Sequence, residues 1–135
     1  MKALEHAAII ADDPEALVDW YCTTLGFELI SKGDLVLDGN QLTYHFLSLP
    51  GGALLEILPS NQKSRSKKAP DDAGIRHLAF LVEDFEASCQ SLREKGLDLG
   101  TERELPDGTK LVFFPDPEGN LLQLVYRTKA LRPWL

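Results

Sequence analysis

Two strand-like stretches of the same plan, 71 positions apart from His6 to His77, constrain this chain more than any other feature. Leu4 to Asp13 reads LEHAAIIADD, and Gly74 to Val82 reads GIRHLAFLV. Each sets one histidine among apolar residues, and in each an acidic residue then opens a helical pattern. Alternation puts Ile75, His77, Ala79 and Leu81 on one face and Arg76, Leu78, Phe80 and Val82 on the other, so apolar neighbours surround the imidazole on either side. A duplication spanning about half the chain predicts two modules with one layout.

The rest of the sequence agrees. Asp12 or Asp13 caps a helix beginning at Pro14, with Leu17, Trp20, Tyr21 and Leu25 at helical spacing and Gly26 as its left-handed stop. Phe27 to Ser31 and Gln41 to Leu49 read as strands. Lys32 to Asn40 forms a hairpin or a short extra strand around Asp38-Gly39. Pro50-Gly51-Gly52 turns into Ala53 to Pro59, an apolar strand interrupted by Glu56. In the second half Asp84 caps a helix from Phe85 to Lys95 that Gly96 ends. Leu97 to Glu104, Thr109 to Phe114 and Leu121 to Arg127 read as strands, with a tight turn at Asp116 to Asn120. The expected organisation is one domain over 1–135: module one 1–60, linker 61–73, module two 74–127 and tail 128–135. Lys63, Arg65, Lys67 and Lys68 make the linker a solvated loop. Leu131, Pro133, Trp134 and Leu135 give the tail an apolar surface that should pack on the protein or on a second subunit.

Composition narrows the function classes. A net charge of −7 argues against non-specific binding to nucleic acid or to anionic membranes. The N-terminus shows no secretory pattern, and no run of 18 apolar residues occurs, so a cytoplasmic protein is expected. Cys22 and Cys89 have no metal-knuckle or redox spacing and read as free thiols in helices.

Four polar residues carry the chemical signal. An offset of 67 aligns PGGALLE at 50–56 with PEGNLLQ at 117–123, so Glu56 meets Gln123 as His6 meets His77. An isolated carboxylate in an apolar interior would take up a proton, whereas a bound cation restores its charged form. A divalent metal held by His6, Glu56, His77 and Gln123 satisfies all four, and the donor set suits zinc, nickel, cobalt, manganese or ferrous iron. Each residue also has a plainer reading. A strand histidine is often a hydrogen-bonded core residue, Glu56 can pair with a cation such as Arg76, and Gln123 can be a backbone-satisfied amide. His45 has no counterpart and reads as core or cavity wall. Asp12, Asp13 and Asp84 read as caps, and Trp20, Tyr21, Phe113 and Phe114 as packing.

LEHAAIIADDPEALVDWYCTTLGFEL, GIRHLAFLVEDFEASCQSLREKGL and FFPDPEGNLLQLV together resemble the vicinal oxygen chelate superfamily, which includes glyoxalase, bleomycin-sequestering proteins and extradiol dioxygenases. The resemblance implies an α+β fold of two βαβββ modules forming an open eight-stranded barrel, with a metal held by His6, Glu56, His77 and Gln123. The layout looks most like lactoylglutathione lyase. Two residues differ from that enzyme: Gln123 stands where it has a glutamate able to act as base, and Ala7 to Ala11 offers no arginine for a glutathione carboxylate. Glu56 is left as the candidate base. The implied activity is a metal-dependent lyase, isomerase or epimerase that stabilises an enediolate of a small α-hydroxycarbonyl or thioester substrate. The alternatives are a metal-free ligand-binding protein of the bleomycin-resistance type and an extradiol-type dioxygenase. A homodimer is expected, because superfamily members commonly dimerise.

Overall fold

Alternation places the first strand within the stretch predicted for it. In the computed structural model, which describes residues 1–61, 69 and 71–131, β1 is His6–Ala11 and is followed by α1 (Pro14–Leu25), β2 (Glu28–Leu37), β3 (Asn40–Ser48) and β4 (Leu54–Pro59). The second half runs β5 (Leu78–Leu81), α2 (Phe85–Glu94), β6 (Arg103–Glu104), β7 (Lys110–Pro115) and β8 (Leu121–Tyr126). Two compact units result, Met1–Arg65 and Ser66–Leu135.

The first unit is a four-stranded sheet in the order β1-β4-β3-β2. β1 runs parallel to β4, and the other pairs are antiparallel. Helix α1 starts where expected: the Asp13 carboxylate accepts the Ala16 N–H at 3.1 Å, and Pro14 occupies the first turn, where its missing donor costs nothing. It stops at Gly26, whose φ of 75° is left-handed, and the Phe27 N–H returns to the Tyr21 carbonyl at 3.2 Å. Leu17, Val18 and Tyr21 are its buried residues, and α1 packs on β4, β1 and β2. The Lys32 to Asn40 region is no separate strand. β2 continues through it to a two-residue turn at Asp38 (φ 50°) and Gly39 (φ 78°), the twist a tight hairpin requires.

The second unit repeats this connectivity in the order β5-β8-β7-β6. The Asp84 carboxylate accepts the Ala87 N–H at 2.9 Å, and the Leu97 N–H reaches the Leu92 carbonyl at 3.1 Å, closing α2 as Phe27 closes α1. Buried Asp116 builds the turn before β8, its carboxylate accepting the N–H groups of Glu118 and Asn120 at 2.9 Å each. Two expectations need correction. The strand read over Leu97 to Glu104 shrinks to Arg103–Glu104, because before it only the Gly100 N–H, donating to the Phe113 carbonyl at 2.8 Å, reaches β7. β5 begins at Leu78, one residue after His77, where its partner β8 has just begun at Leu121. The linker's basic run and tail residues Pro133, Trp134 and Leu135 lie outside the described residues. Leu131 is exposed.

The helix-facing side of each sheet forms the core. His45, Leu47, Leu55 and Ile57 are buried in the first unit, and Val112, Phe114, Leu122 and Leu124 occupy the equivalent positions in the second. Cys89 is buried on the inner face of α2, Cys22 on α1 is half-buried, and desolvation pushes both thiols up. In native protein a thiol reagent at mildly alkaline pH should leave Cys89 unmodified over the time in which the urea-unfolded chain reacts fully. Rapid labelling of both thiols in the folded state would contradict this burial.

Candidate functional site

Strand register places the predicted residues in two matching rows. In the first unit Ala8 pairs with Glu56, and Glu56 pairs with Phe46 across the next ladder. His6 stands two residues before Ala8 on the same face. In the second unit Ala79 pairs with Gln123, Gln123 pairs with Phe113, and His77 stands two residues before Ala79. The two aromatic rings do the same work. His6 meets Phe46 edge-on with centroids 5.4 Å apart, and His77 meets Phe113 edge-on at 5.2 Å.

Within the first unit the sequence-predicted pair is brought together. His6 Nε2 lies 3.5 Å from Glu56 Oε2, and the Glu56 side chain is only 12% exposed. On the other side of the ring, His6 Nδ1 is bonded to the Glu5 carboxylate. That hydrogen bond is the main cause raising the His6 pKa; desolvation opposes it, and the charges of Glu5 and Glu56 add to it. Since a carboxylate can only accept, Glu5 fixes the ring hydrogen on Nδ1 and leaves the Nε2 lone pair of the neutral imidazole facing Glu56.

The second unit is built alike but charged differently. Arg76 Nη1 lies 3.2 Å from His77 Nδ1, and its guanidinium sits 4.9 Å from the Phe113 ring centroid. Arginine only donates, so His77 Nδ1 is the acceptor and the ring hydrogen belongs on Nε2. Burial first, and the Arg76 charge second, hold the His77 pKa below its usual value. Gln123 is buried on the row beside Phe113.

His45 faces the opposite way, into the core. Its Nδ1 is 3.3 Å from the Ile57 carbonyl oxygen and its Nε2 3.3 Å from the carboxylate of Glu15, which also accepts from Lys32 at 2.7 Å. Tyr21 and Phe114 are core residues, whereas Phe46 and Phe113 are half-buried on the histidine face. These two rings, together with Glu5 and Arg76, were missed by reading the sequence for ligands alone. The signal was present: the offset of 67 that aligns Glu56 with Gln123 also aligns Phe46 with Phe113, and the offset of 71 aligns Glu5 with Arg76.

The sequence profile of the Glyoxalase/Bleomycin resistance protein/Dioxygenase superfamily matches residues 3–124, and the chain belongs to that superfamily. It is 36% identical over 135 residues to the uncharacterized protein YaeR of Escherichia coli, covering 92% of this chain and 95% of YaeR. It is 26% identical over 124 residues to a probable lactoylglutathione lyase of Synechocystis, covering 90% and 93%. Among solved structures, a glyoxalase family protein from Enterococcus faecalis superposes with a TM-score of 0.76 at 34% identity, covering 92% of this chain and 97% of that one. Two four-stranded mixed sheets with two helices therefore constitute a glyoxalase-like fold.

The donor chemistry can be tested against a divalent ion. Among the described residues of either unit, no group of three or more His, Cys, Asp or Glu side chains stands together. His6 is arranged as metal-binding histidines are, with a carboxylate on its far nitrogen and a lone pair toward Glu56. Gln123 offers an amide oxygen. His77 fits on one condition: the Arg76 N–H must leave Nδ1 so that the ring hydrogen can move there and free Nε2.

Proposed function

We propose that the protein is a metal-dependent enzyme of the glyoxalase type, a lyase, isomerase or epimerase that moves a proton beside the carbonyl of a small α-hydroxycarbonyl or thioester substrate. The observation that carries this reading is the His6 and Glu56 pair, a largely desolvated carboxylate 3.5 Å from an imidazole nitrogen. A carboxylate oxygen and an imidazole nitrogen brought this close are two donors of the kind a divalent cation takes. His6, Glu56, His77 and Gln123 would hold one zinc, nickel, cobalt, manganese or ferrous ion, with the chain acting as a single domain. When bound, that ion would supply Lewis-acid polarisation of the substrate carbonyl, which favours an enediolate over the uncharged ketone.

The protein's own groups do the rest. Glu56 takes the substrate proton, since Gln123, its counterpart in the second unit, has no basic oxygen. Glu5 holds the His6 ring in one tautomer and orientation. Phe46 and Phe113 fix both imidazoles and keep water from one side of each. The expected partner is a small molecule, and the net charge of −7 disfavours nucleic acid. No helix among the described residues is long and apolar enough to cross a membrane. A cytoplasmic homodimer completes the reading, as dimers are common in the superfamily.

The test is solvent-deuterium incorporation next to the carbonyl, followed by NMR with metal-loaded protein and a panel of α-hydroxycarbonyl and thioester compounds. Incorporation into at least one compound is expected. None across the panel, with metal bound, would refute the proton-transfer reading. One observation favours a second reading, a metal-free ligand-binding protein of the bleomycin-resistance type: the Arg76 bond to His77 presents an N–H, not a lone pair, at Nε2. On that reading the protein purifies without stoichiometric metal and gains none on dialysis.

A further inference from the structure

We propose that Arg76 selects an anionic substrate, its guanidinium receiving the two oxygens of a carboxylate or phosphate on the Phe113 face of the second sheet. The proposal deepens the functional reading above and rests on it in taking that face as the place where substrate lies. Its starting point is the internal repeat. Glu5 and Arg76 each precede their unit's histidine, and each bonds that histidine's Nδ1, yet they carry opposite charge. If the position served only to orient a ring, a carboxylate would do it in both units. Arginine is the poorer choice for that task, because it repels an imidazolium and takes up the lone pair of a neutral ring.

The guanidinium is held but little used. Phe113 supports it 4.9 Å from the ring centroid, and one N–H is directed to His77. Among the described residues no carboxylate lies within ion-pairing distance of it, although acidic residues outnumber basic ones 21 to 14. Three other cations among the described residues are engaged with carboxylates, Lys32 with Glu15, Arg93 with Glu102 and Lys110 with Glu86, but none of these three is directed to a histidine of the candidate site. An arginine supported on an aromatic ring, with most of its N–H fork unsatisfied, has the geometry for bidentate oxyanion recognition. The row of Phe113 and Gln123 lies beside it, so an anion held there lies next to the candidate donors. If Arg76 leaves His77 for such an anion, Nε2 of His77 becomes available as a ligand, which couples substrate charge to the donor set.

The experiment titrates malonate, inorganic phosphate and neutral malonamide into 15N-labelled protein, with and without chelator, in wild type, Arg76→Gln and Arg76→Lys. Glutamine keeps a donor for His77 but removes the charge, and lysine keeps the charge but removes the fork. Wild type is expected to bind at least one anion, with shifts at the Arg76 Nε–H and around Phe113. Arg76→Gln should weaken that binding by about 10- to 100-fold, Arg76→Lys by less, and malonamide should discriminate among none of them. Preference for malonate assigns a carboxylate, and preference for phosphate assigns a phosphate ester. Equal anion affinity in wild type and Arg76→Gln, or no anion binding to wild type, overturns the proposal. Anion binding that survives chelator and falls in Arg76→Gln upholds it even if the protein never takes up metal. Metal uptake with unchanged anion affinity in Arg76→Gln removes the role of Arg76 and leaves the enzymatic reading standing.

Discussion

Glu56→Gln is expected to abolish turnover, by about 10²- to 10⁴-fold, while leaving the fold intact and any metal largely bound. The substitution is nearly isosteric; it removes the basic oxygen and the negative charge while keeping a carbonyl oxygen in place. The protein contains its own control, since Gln123 occupies the same place in the second sheet, paired with Ala79 and Phe113 as Glu56 is paired with Ala8 and Phe46. A glutamine therefore suits this environment, and loss of activity could not be assigned to misfolding. An amide oxygen also still offers a neutral donor. Steady-state rates on whichever compound shows deuterium incorporation, with circular dichroism as the check on fold, decide the matter. Retained activity would give the base to another group, and Glu5, bonded to the far side of His6, would be the first to test.

Phe114→Ala should destabilise the protein by about 3 to 5 kcal/mol, whereas Phe113→Ala should cost much less. The two rings are adjacent in sequence and point to opposite faces of β7. Phe114 is 2% exposed and pairs with Leu122, which is fully buried, so truncation leaves a cavity that the close-packed layer under α2 cannot readily fill. Phe113 is half-buried, and its truncation removes the support of His77 and Arg76 rather than core volume. Urea unfolding of both variants gives the comparison. Anion affinity should fall in Phe113→Ala even though its stability is kept. Equal destabilisation by the two substitutions would mean that the division of β7 into a core face and a site face is wrong.

What the sequence revealed most directly was what depends on local chemistry. Asp13 and Asp84 cap helices because a short carboxylate reaches the N–H three residues on, and Asp38-Gly39 turns because both residues tolerate positive φ. The duplicated plan was equally visible, since His6 and His77 recur with their neighbours. Properties that depend on partners were harder to read. Leu97 to Thr101 alternates like a strand yet has too little of β7 alongside it to form one, and His77 falls just outside β5 because β8 begins where it does. The row joining Glu56 to Phe46 exists only through the β3 and β4 register, so Phe113 read as ordinary packing and Phe46 carried no signal of its own until the ladders were known. Arg76 shows the same limit. Strand alternation assigns it the face opposite His77, but as a residue ahead of the strand its long side chain reaches Phe113 and the His77 ring.

The central claim is that the two histidines, the carboxylate and the amide, one pair from each sheet, serve a single divalent ion. Elemental analysis after equilibrium dialysis against zinc, nickel, cobalt, manganese and ferrous iron tests it most directly, using wild type alongside His6→Ala and His77→Ala. Wild type should retain about one ion per chain of at least one metal, and each alanine variant should lose it while remaining folded. Wild type that retains none, or a His77→Ala variant that binds as tightly as wild type, would contradict the account.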